Sequence, residues 1–202
     1  MSIYKFSNTL QKQTGLFTLK KVVLWLNRIL SIKIFLKIKA LFYFNSDDLV
    51  LGSNVIVSGL CPNITIGKNN NFYACCKFHF GPESNFHSGD NIIFSYNVIV
   101  DCNLRISIGN NVMIGEFSSI RDTTHDYKAD IPMMNAKDIS KEIIIGNDVW
   151  IGRGCLICEG SYIEDGVVVA ANSVVKGRLL KNGIYGGSPV RLIKFRFVEY
   201  DK

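Results

Sequence analysis

The feature that most limits what this chain can become is a period of six. From Ile145 onward every sixth residue is β-branched and apolar: Ile145, Ile151, Ile157, Ile163, Val169, Val175. A helix repeats apolar residues at three and four, and a half-buried strand repeats them at two, so neither produces this register. Four residues further on in each hexad stand Val149, Cys155, Ser161, Val167 and Ser173, mostly small, and Gly146 and Gly152 follow the first two β-branched residues. A second run, in another frame, has Ile108, Ile114 and Ile120, with Gly109 and Gly115. A third and looser one has Phe80, Phe86, Ile92 and Val98, and Ile64-Thr65-Ile66-Gly67 is a further fragment. Self-similarity at a short fixed period marks a solenoid, in which one repeat cannot bury its apolar face alone. Each hexad supplies a short strand and a turn, with the β-branched residue inward and the small residue at the corner. Asn recurs at and near these turns (Asn54, Asn69, Asn70, Asn71, Asn110, Asn111, Asn147, Asn172), and Asn and Gly tolerate the left-handed backbone of tight turns. Leu51 to Lys176 spans 126 residues, room for 21 hexads less insertions. A parallel β-helix is expected, and periodicity leaves its hand open.

Charge divides the chain in two. The net of +6 comes from 23 Lys and Arg against 17 Asp and Glu. Residues 1–44 hold eight of the basic residues (Lys5, Lys12, Lys20, Lys21, Arg28, Lys33, Lys37, Lys39) and no acidic one, which leaves the rest of the chain at −2. A body this close to neutral argues against nucleic-acid binding, which needs a basic stripe on the fold itself. With 48% hydrophobic residues the chain is no disordered polymer either. Residues 16–44 are rich in Leu, Ile, Phe and Val, but their longest charge-free run is Val22–Asn27, far short of a membrane span. They suit helices with an apolar and a basic face. Such a segment either rests on an anionic membrane surface or packs on the body or a neighbouring subunit. No secretory signal is read near Leu16, so the six Cys are expected to be reduced thiols of a cytoplasmic protein. Cys155-Leu-Ile-Cys158 has redox-motif spacing, but the two fall at different hexad positions and read as ordinary small residues.

The stretch Ile145-Gly-Asn-Asp-Val-Trp-Ile-Gly-Arg-Gly-Cys-Leu-Ile, then Val169-Ala-Ala-Asn-Ser-Val-Val-Lys and Tyr185-Gly-Gly-Ser-Pro-Val-Arg, resembles the hexapeptide-repeat acyltransferases. The resemblance is nearest to the galactoside, maltose, nodulation-factor and capsule or O-antigen O-acetyltransferases, and covers about residues 50–195. It implies an all-β fold, a left-handed parallel β-helix, assembled as a homotrimer with active sites between subunits. The expected organisation is a basic amphipathic helical segment over 1–48, the β-helix over 49–178 with residues 121–142 thrown out as an active-site loop, and a tail over 179–202 lying on the coenzyme site.

His125 stands where the hexad frame is lost, in Ile120-Arg-Asp-Thr-Thr-His-Asp-Tyr. A His at the root of a long loop on a rigid scaffold is a good general-base candidate, because its ordinary pKa leaves a neutral fraction near pH 7. The resemblance gives the same role to a His about 25 residues before the Trp of the next repeat, here Trp150. Asp122, three residues earlier, either holds the imidazole in one tautomer or caps a turn. Asp126 and Tyr127 are weaker acceptor contacts, and Trp150 is expected to wall the acceptor or thioester site. The implied donor is acetyl-CoA, with no metal. Backbone contacts are placed at Arg153 and Ala171, and Lys176 lies beside the pantetheine arm. Arg191 and Lys194, with Arg178 as a weaker addition, lie at the phosphates. Ala170 and Asn172 stand where the family usually has Gly, which alters the local geometry.

The expected function is direct acetyl transfer to a hydroxyl of a bacterial surface saccharide such as a capsule or O-antigen, near the inner face of the membrane. The enzyme alternative is acetylation of a small molecule or antibiotic. A zinc site like that of the gamma carbonic anhydrases would need His79, His87 and His125 to converge, and their spacing does not fit.

Overall fold

A computed structural model describes Leu26, Leu30 and residues 32–59 and 63–197. The hexads coil into a parallel β-helix of about six turns. Each turn lays one strand on each of three sheets. The first sheet stacks Val50–Leu51, Asn71–Phe72, Ile93–Phe94, Met113–Ile114, Trp150–Ile151 and Val168–Val169. The second stacks Ile56–Gly59, Lys77–Phe80, Ile99–Cys102, Ser119–Arg121, Leu156–Ile157 and Val174–Val175. The third stacks Asn63–Ile66, Asn85–Ser88, Arg105–Ile108, Ile143–Ile145, Tyr162–Ile163 and Arg178–Leu179.

The β-branched series lines the interior: Ile114, Ile120, Ile145, Ile151, Ile157, Ile163, Val169 and Val175 are all buried. The small residues fill corners as expected, and their hydroxyls satisfy turn carbonyls there. Ser161 Oγ donates to the Cys158 carbonyl at 2.7 Å, and Ser173 Oγ to that of Ala170 at 2.6 Å. At the corner leading from the third sheet to the first, a side-chain oxygen of each turn accepts the backbone N–H of the turn before. Asp165 accepts from Asn147 at 2.7 Å, Asn147 from Asn110 at 2.8 Å, and Asn110 from Asp90 at 2.8 Å. Glycine precedes each of these backbone N–H groups because nothing larger fits: a Cβ on Gly109 would lie 2.7 Å from Asn147 Oδ1 and from the Gly146 carbonyl carbon. Asn54, Asn69, Asn111 and Asn172 have φ between 55° and 58°, the left-handed backbone their turns require.

The spacing between turns is strict at two corners and loose at the third. From the first sheet to the second every step is six residues (Met113 to Ser119, Trp150 to Leu156), as is every step from the third sheet back to the first (Ile144 to Trp150, Tyr162 to Val168). From the second sheet to the third the equivalent step is nine residues (Ile56 to Thr65), ten (Lys77 to His87), eight (Ile99 to Ser107), then twenty-five (Ser119 to Ile144), six (Leu156 to Tyr162) and finally four (Val174 to Arg178). The longer corners bury a second residue per strand, as in Lys77–Phe80 and Asn85–Ser88, where alternate residues face inward. Phe80, Phe86, Ile92 and Val98 are therefore all buried but do not form one row, since Ile92 and Val98 precede strands while Phe80 and Phe86 fill the widened corner.

Both ends of the coil are closed. The helix described at Leu26, Leu30 and residues 32–44 packs Leu36, Ala40, Tyr43 and Phe44 on the first turn, and the Phe44 ring meets those of Phe72 and Phe78 edge-on at 5.4 and 5.3 Å. At the other end Gly183–Gly186 adds a further rung to the first sheet and Arg191–Phe195 pairs antiparallel to it.

Candidate active site

The twenty-five-residue excursion is a hairpin, not an irregular loop. Thr123–His125 pairs antiparallel with Asp138–Ser140, and a turn of 3-10 helix at Met133–Asn135 lies within the connection. Asp122 anchors its root. The fully buried carboxylate accepts the backbone N–H groups of Asn103 (2.9 Å), Leu104 (2.8 Å) and Arg105 (2.9 Å) and the Thr123 hydroxyl (3.0 Å). Both oxygens are committed, so the expected hold of Asp122 on the imidazole gives way to its alternative, a cap on the turn beneath. The partner of His125 is Asp138, directly opposite in the hairpin register, with Nδ1 and Oδ1 2.8 Å apart. A proton on Nδ1 donated to Asp138 leaves the Nε2 lone pair free. Asp138 lies thirteen residues from His125 inside a stretch without hexad pattern, and only antiparallel pairing puts it across from the imidazole.

Around His125 opens a polar cavity of about 310 Å³ lined by His79, Asp101, Asn103, Arg121, Thr123, Thr124 and Asp138. Three of these come from one outward row on the second sheet, where Ser58, His79, Asp101 and Arg121 stack in register. Ser58 Oγ lies 3.0 Å from His79 Nδ1, Arg121 pairs with Asp101 at 3.3 Å, and Asn103 Nδ2 donates to Asp101 at 2.9 Å. The cavity thus offers donors and acceptors side by side. The members of that row are some twenty residues apart in sequence and meet only through strand register. His87 is on the third sheet, away from His79 and His125, and among the described residues no three His, Cys, Asp or Glu side chains are placed to hold a metal.

A second groove, of about 540 Å³, runs along the outside of the first sheet. Ile93, Met113, Glu116, Trp150, Arg153, Val168 and Ala171 line it. Trp150 is half exposed, in register between Met113 and Val168, and no residue of 121–142 covers it. Arg153, at the corner after the Trp150 strand, pairs with Glu116 at 3.4 Å. Beyond Trp150 a smaller groove is lined by Ile184, Lys194, Phe195 and Arg196. Arg191 turns its guanidinium onto the Val190 carbonyl at 2.8 Å.

Lys176 is elsewhere. It follows the strand Val174–Val175 of the second sheet, so it emerges under the hairpin, beside Thr124, Asp126, Tyr127 and Ile139. Its ammonium bonds the Glu159 carboxylate, which holds the Lys176 pKa above its ordinary value. Arg178 is paired with Glu164 and stacked over Tyr162. Burial pushes the Cys155 and Cys158 thiols up, away from a reactive thiolate. One chain therefore presents two separate clusters that share no lining residue: His125, Asp138 and Lys176 about the hairpin, and Trp150, Arg153, Ala171 and Lys194 on the first sheet.

The bacterial transferase hexapeptide (six repeats) family matches residues 142–177, the strictest part of the coil. Those residues carry the hexapeptide repeat of that family. Among its curated relatives, galactoside O-acetyltransferase of Escherichia coli (strain K12) is 32% identical over 130 residues, 64% of this chain and 63% of that one. WbbJ of the same strain, named for lipopolysaccharide biosynthesis O-acetyl transfer, is 34% identical over 117 residues, 51% of this chain and 60% of that one. The chain thus spans a little under two thirds of each relative's length. Among solved structures, the N-acyltransferase AntD of Bacillus cereus, in complex with dTDP-4-amino-4,6-dideoxyglucose and coenzyme A, superposes with a TM-score of 0.65 at 21% identity, over 75% of this chain and 82% of that one. This likeness concerns the fold. It gives the coil the left hand that periodicity left open, against the usual right-handed crossover.

Proposed function

We propose that this hexapeptide-repeat chain is an acetyl-CoA-dependent O-acetyltransferase acting on a hydroxyl of a bacterial surface saccharide, on the cytoplasmic side of the membrane. The observation that carries the chemistry is the His125–Asp138 pair at the mouth of the polar cavity. His125 Nε2 removes the proton of the acceptor hydroxyl, the oxygen attacks the thioester carbonyl, and the coenzyme leaves as a thiolate that takes up the proton. Asp138 keeps the imidazole in the required tautomer and stabilises its charged form. The mixed donors and acceptors of the cavity suit a polyhydroxylated acceptor. The O-acetyltransferase relatives, one named for galactosides and one for lipopolysaccharide biosynthesis, favour that acceptor class.

The groove past Trp150, Arg153 and Ala171 is the proposed bed for the pantetheine arm, with Lys194 and Arg191 toward the phosphates. The two half-sites of one chain are complementary in content, one with the base and one with the groove. A homotrimer completes each active site by setting the hairpin of one subunit against the first sheet of the next. Lys176, on the hairpin side, then reaches coenzyme bound to the neighbour.

The test is thiol release from acetyl-CoA with defined oligosaccharides, and with chloramphenicol as the small-molecule acceptor. His125→Ala is expected to lower the rate by about 10²- to 10⁴-fold, the usual range for a general base. An unchanged rate removes His125 from the chemistry, and turnover confined to chloramphenicol replaces the saccharide reading.

A further inference from the structure

Helix 32–44 is apolar on both faces. Leu36, Ala40, Tyr43 and Phe44 are the stripe that packs on the first turn. At about 100° per residue, Ile34, Phe35, Ile38, Leu41 and Phe42 fall in one continuous arc on the opposite side. All five are exposed, Phe42 at 78%, and no described residue covers them. The neighbouring edge of the coil extends this surface through Val50, 60% exposed. Between helix and coil edge lies an apolar groove of about 530 Å³ walled by Leu30, Ile34, Leu36 and Leu51, with Lys33 and Lys37 at its rim. Lys39 flanks the other side of the arc and bonds the Val55 carbonyl, which ties the helix to the first turn.

We propose that this outer face seats on an anionic lipid surface. Charge selects the occupant. On the helix the arc is flanked by Lys33, Lys37 and Lys39 and by no acidic residue, and the whole of residues 1–44 carries eight basic and no acidic residues, while the rest of the chain is net negative. A second copy meeting the same face symmetrically would set like charges together, whereas anionic headgroups meet Lys33 and Lys37 as counterions. No described helix is long and apolar enough to cross a membrane, so this one lies in the interface, its aromatic and aliphatic arc toward the acyl chains. The groove beside it gives an acyl chain an apolar channel with its headgroup at the two lysines. The proposal is independent of the acetyl-transfer reading.

The full chain is sedimented with phosphatidylcholine vesicles, with and without phosphatidylglycerol. It is expected to pellet with the anionic vesicles at least tenfold more strongly than with neutral ones, and salt weakens that binding. Ile38→Asp with Phe42→Asp is expected to abolish it, and Lys33→Glu with Lys37→Glu to lower it by about tenfold or more. All four positions are exposed, so unchanged thermal unfolding is expected for both variants. Absence of binding to anionic vesicles overturns the proposal, as does equal binding to neutral ones or binding untouched by both double variants. A drop in sedimenting mass of the Ile38/Phe42 variant without lipid assigns the face to a second copy instead. Acetyl transfer to a soluble acceptor is read in parallel, and its loss or survival in the native chain bears on the site reading alone.

Discussion

The first three turns of the coil and the last two solve the same packing problem differently. In the last two, each sheet receives a two-residue strand, one apolar residue points inward per strand, and the interior is Ile and Val with Leu179 on the last strand. In the first three, the second and third sheets receive four-residue strands, and Phe enters the interior, most of it in the second turn. Phe72 stacks on Phe78 at 4.9 Å and meets Phe94 edge-on at 4.7 Å, and Phe80 and Phe86 lie 5.5 Å apart. The two designs keep identical six-residue corners on either side of the first sheet and differ only between the second sheet and the third. A hexad is the regular length of a corner, and the last turn passes from the second sheet to the third in four residues (Val174 to Arg178). Extra residues at one corner widen the cross-section, and the added volume must be filled, in the second turn by phenylalanine. The twenty-five-residue excursion is the extreme case of that tolerance: the hairpin with His125 leaves the coil at the one corner where length is free.

If the halves are packed differently, they should respond differently to truncation. The largest effect is expected from Phe78→Ala, in contact with Phe44, Phe72 and Phe94. It should cost about 3–5 kcal/mol in denaturant unfolding, since the rigid coil cannot collapse into the space. Next comes Asp122→Ala at the junction of the halves. It removes the acceptor of three backbone N–H groups and should cost about 2–4 kcal/mol, each bond to the charged group contributing roughly 1.5 kcal/mol or more before water replaces part of it. Asp138→Asn sharpens the contrast between the two carboxylates. It should leave the unfolding midpoint unchanged, because both partners are mostly exposed, and yet slow acetyl transfer by about tenfold or more by freeing the imidazole to adopt the other tautomer. A stability loss in Asp138→Asn, or none in Asp122→Ala, reverses the assignment made here. The smallest effect belongs to the regular half: Ile157→Val should cost about 0.5–1.5 kcal/mol, because a β-branched residue of nearly the same shape remains. A cost there equal to that of Phe78→Ala would mean that the halves do not differ in packing.

The local content of this fold was legible in residue order. A hexad is a local rule, so Ile145 to Val175 announce strands, inward positions and corners without reference to anything distant. Asn and Gly at the turns are likewise local, answering to backbone angle and to the close approach of the next turn. The loss of frame after Ile120 marked the excursion, and His125 at its root stood out by residue type. Trp150, Arg153 and Ala171 also came into one groove, since equivalent positions of successive hexads stack by construction.

What residue order could not supply is whatever depends on register across the free corner. Asp122 and Asp138 are both carboxylates near His125 in sequence, and sequence proximity singled out Asp122 while leaving open whether it holds the imidazole or caps a turn. The tertiary structure turns Asp122 inward onto the backbone of the preceding turn and sets Asp138 opposite the imidazole. Lys176 was grouped with Arg153 and Ala171 by resemblance, yet a step of one sheet places it under the hairpin with Glu159. The Ser58, His79, Asp101 and Arg121 row exists only because corners of nine, ten and eight residues still return the second sheet to the same register. The sequence by itself determined the coil, its turns and the place of His125 at the root of the excursion, because each follows from contacts within one or two hexads. Only the tertiary structure decided which charged groups meet, because hydrogen bonds between stacked turns join residues that are some twenty positions apart along the chain.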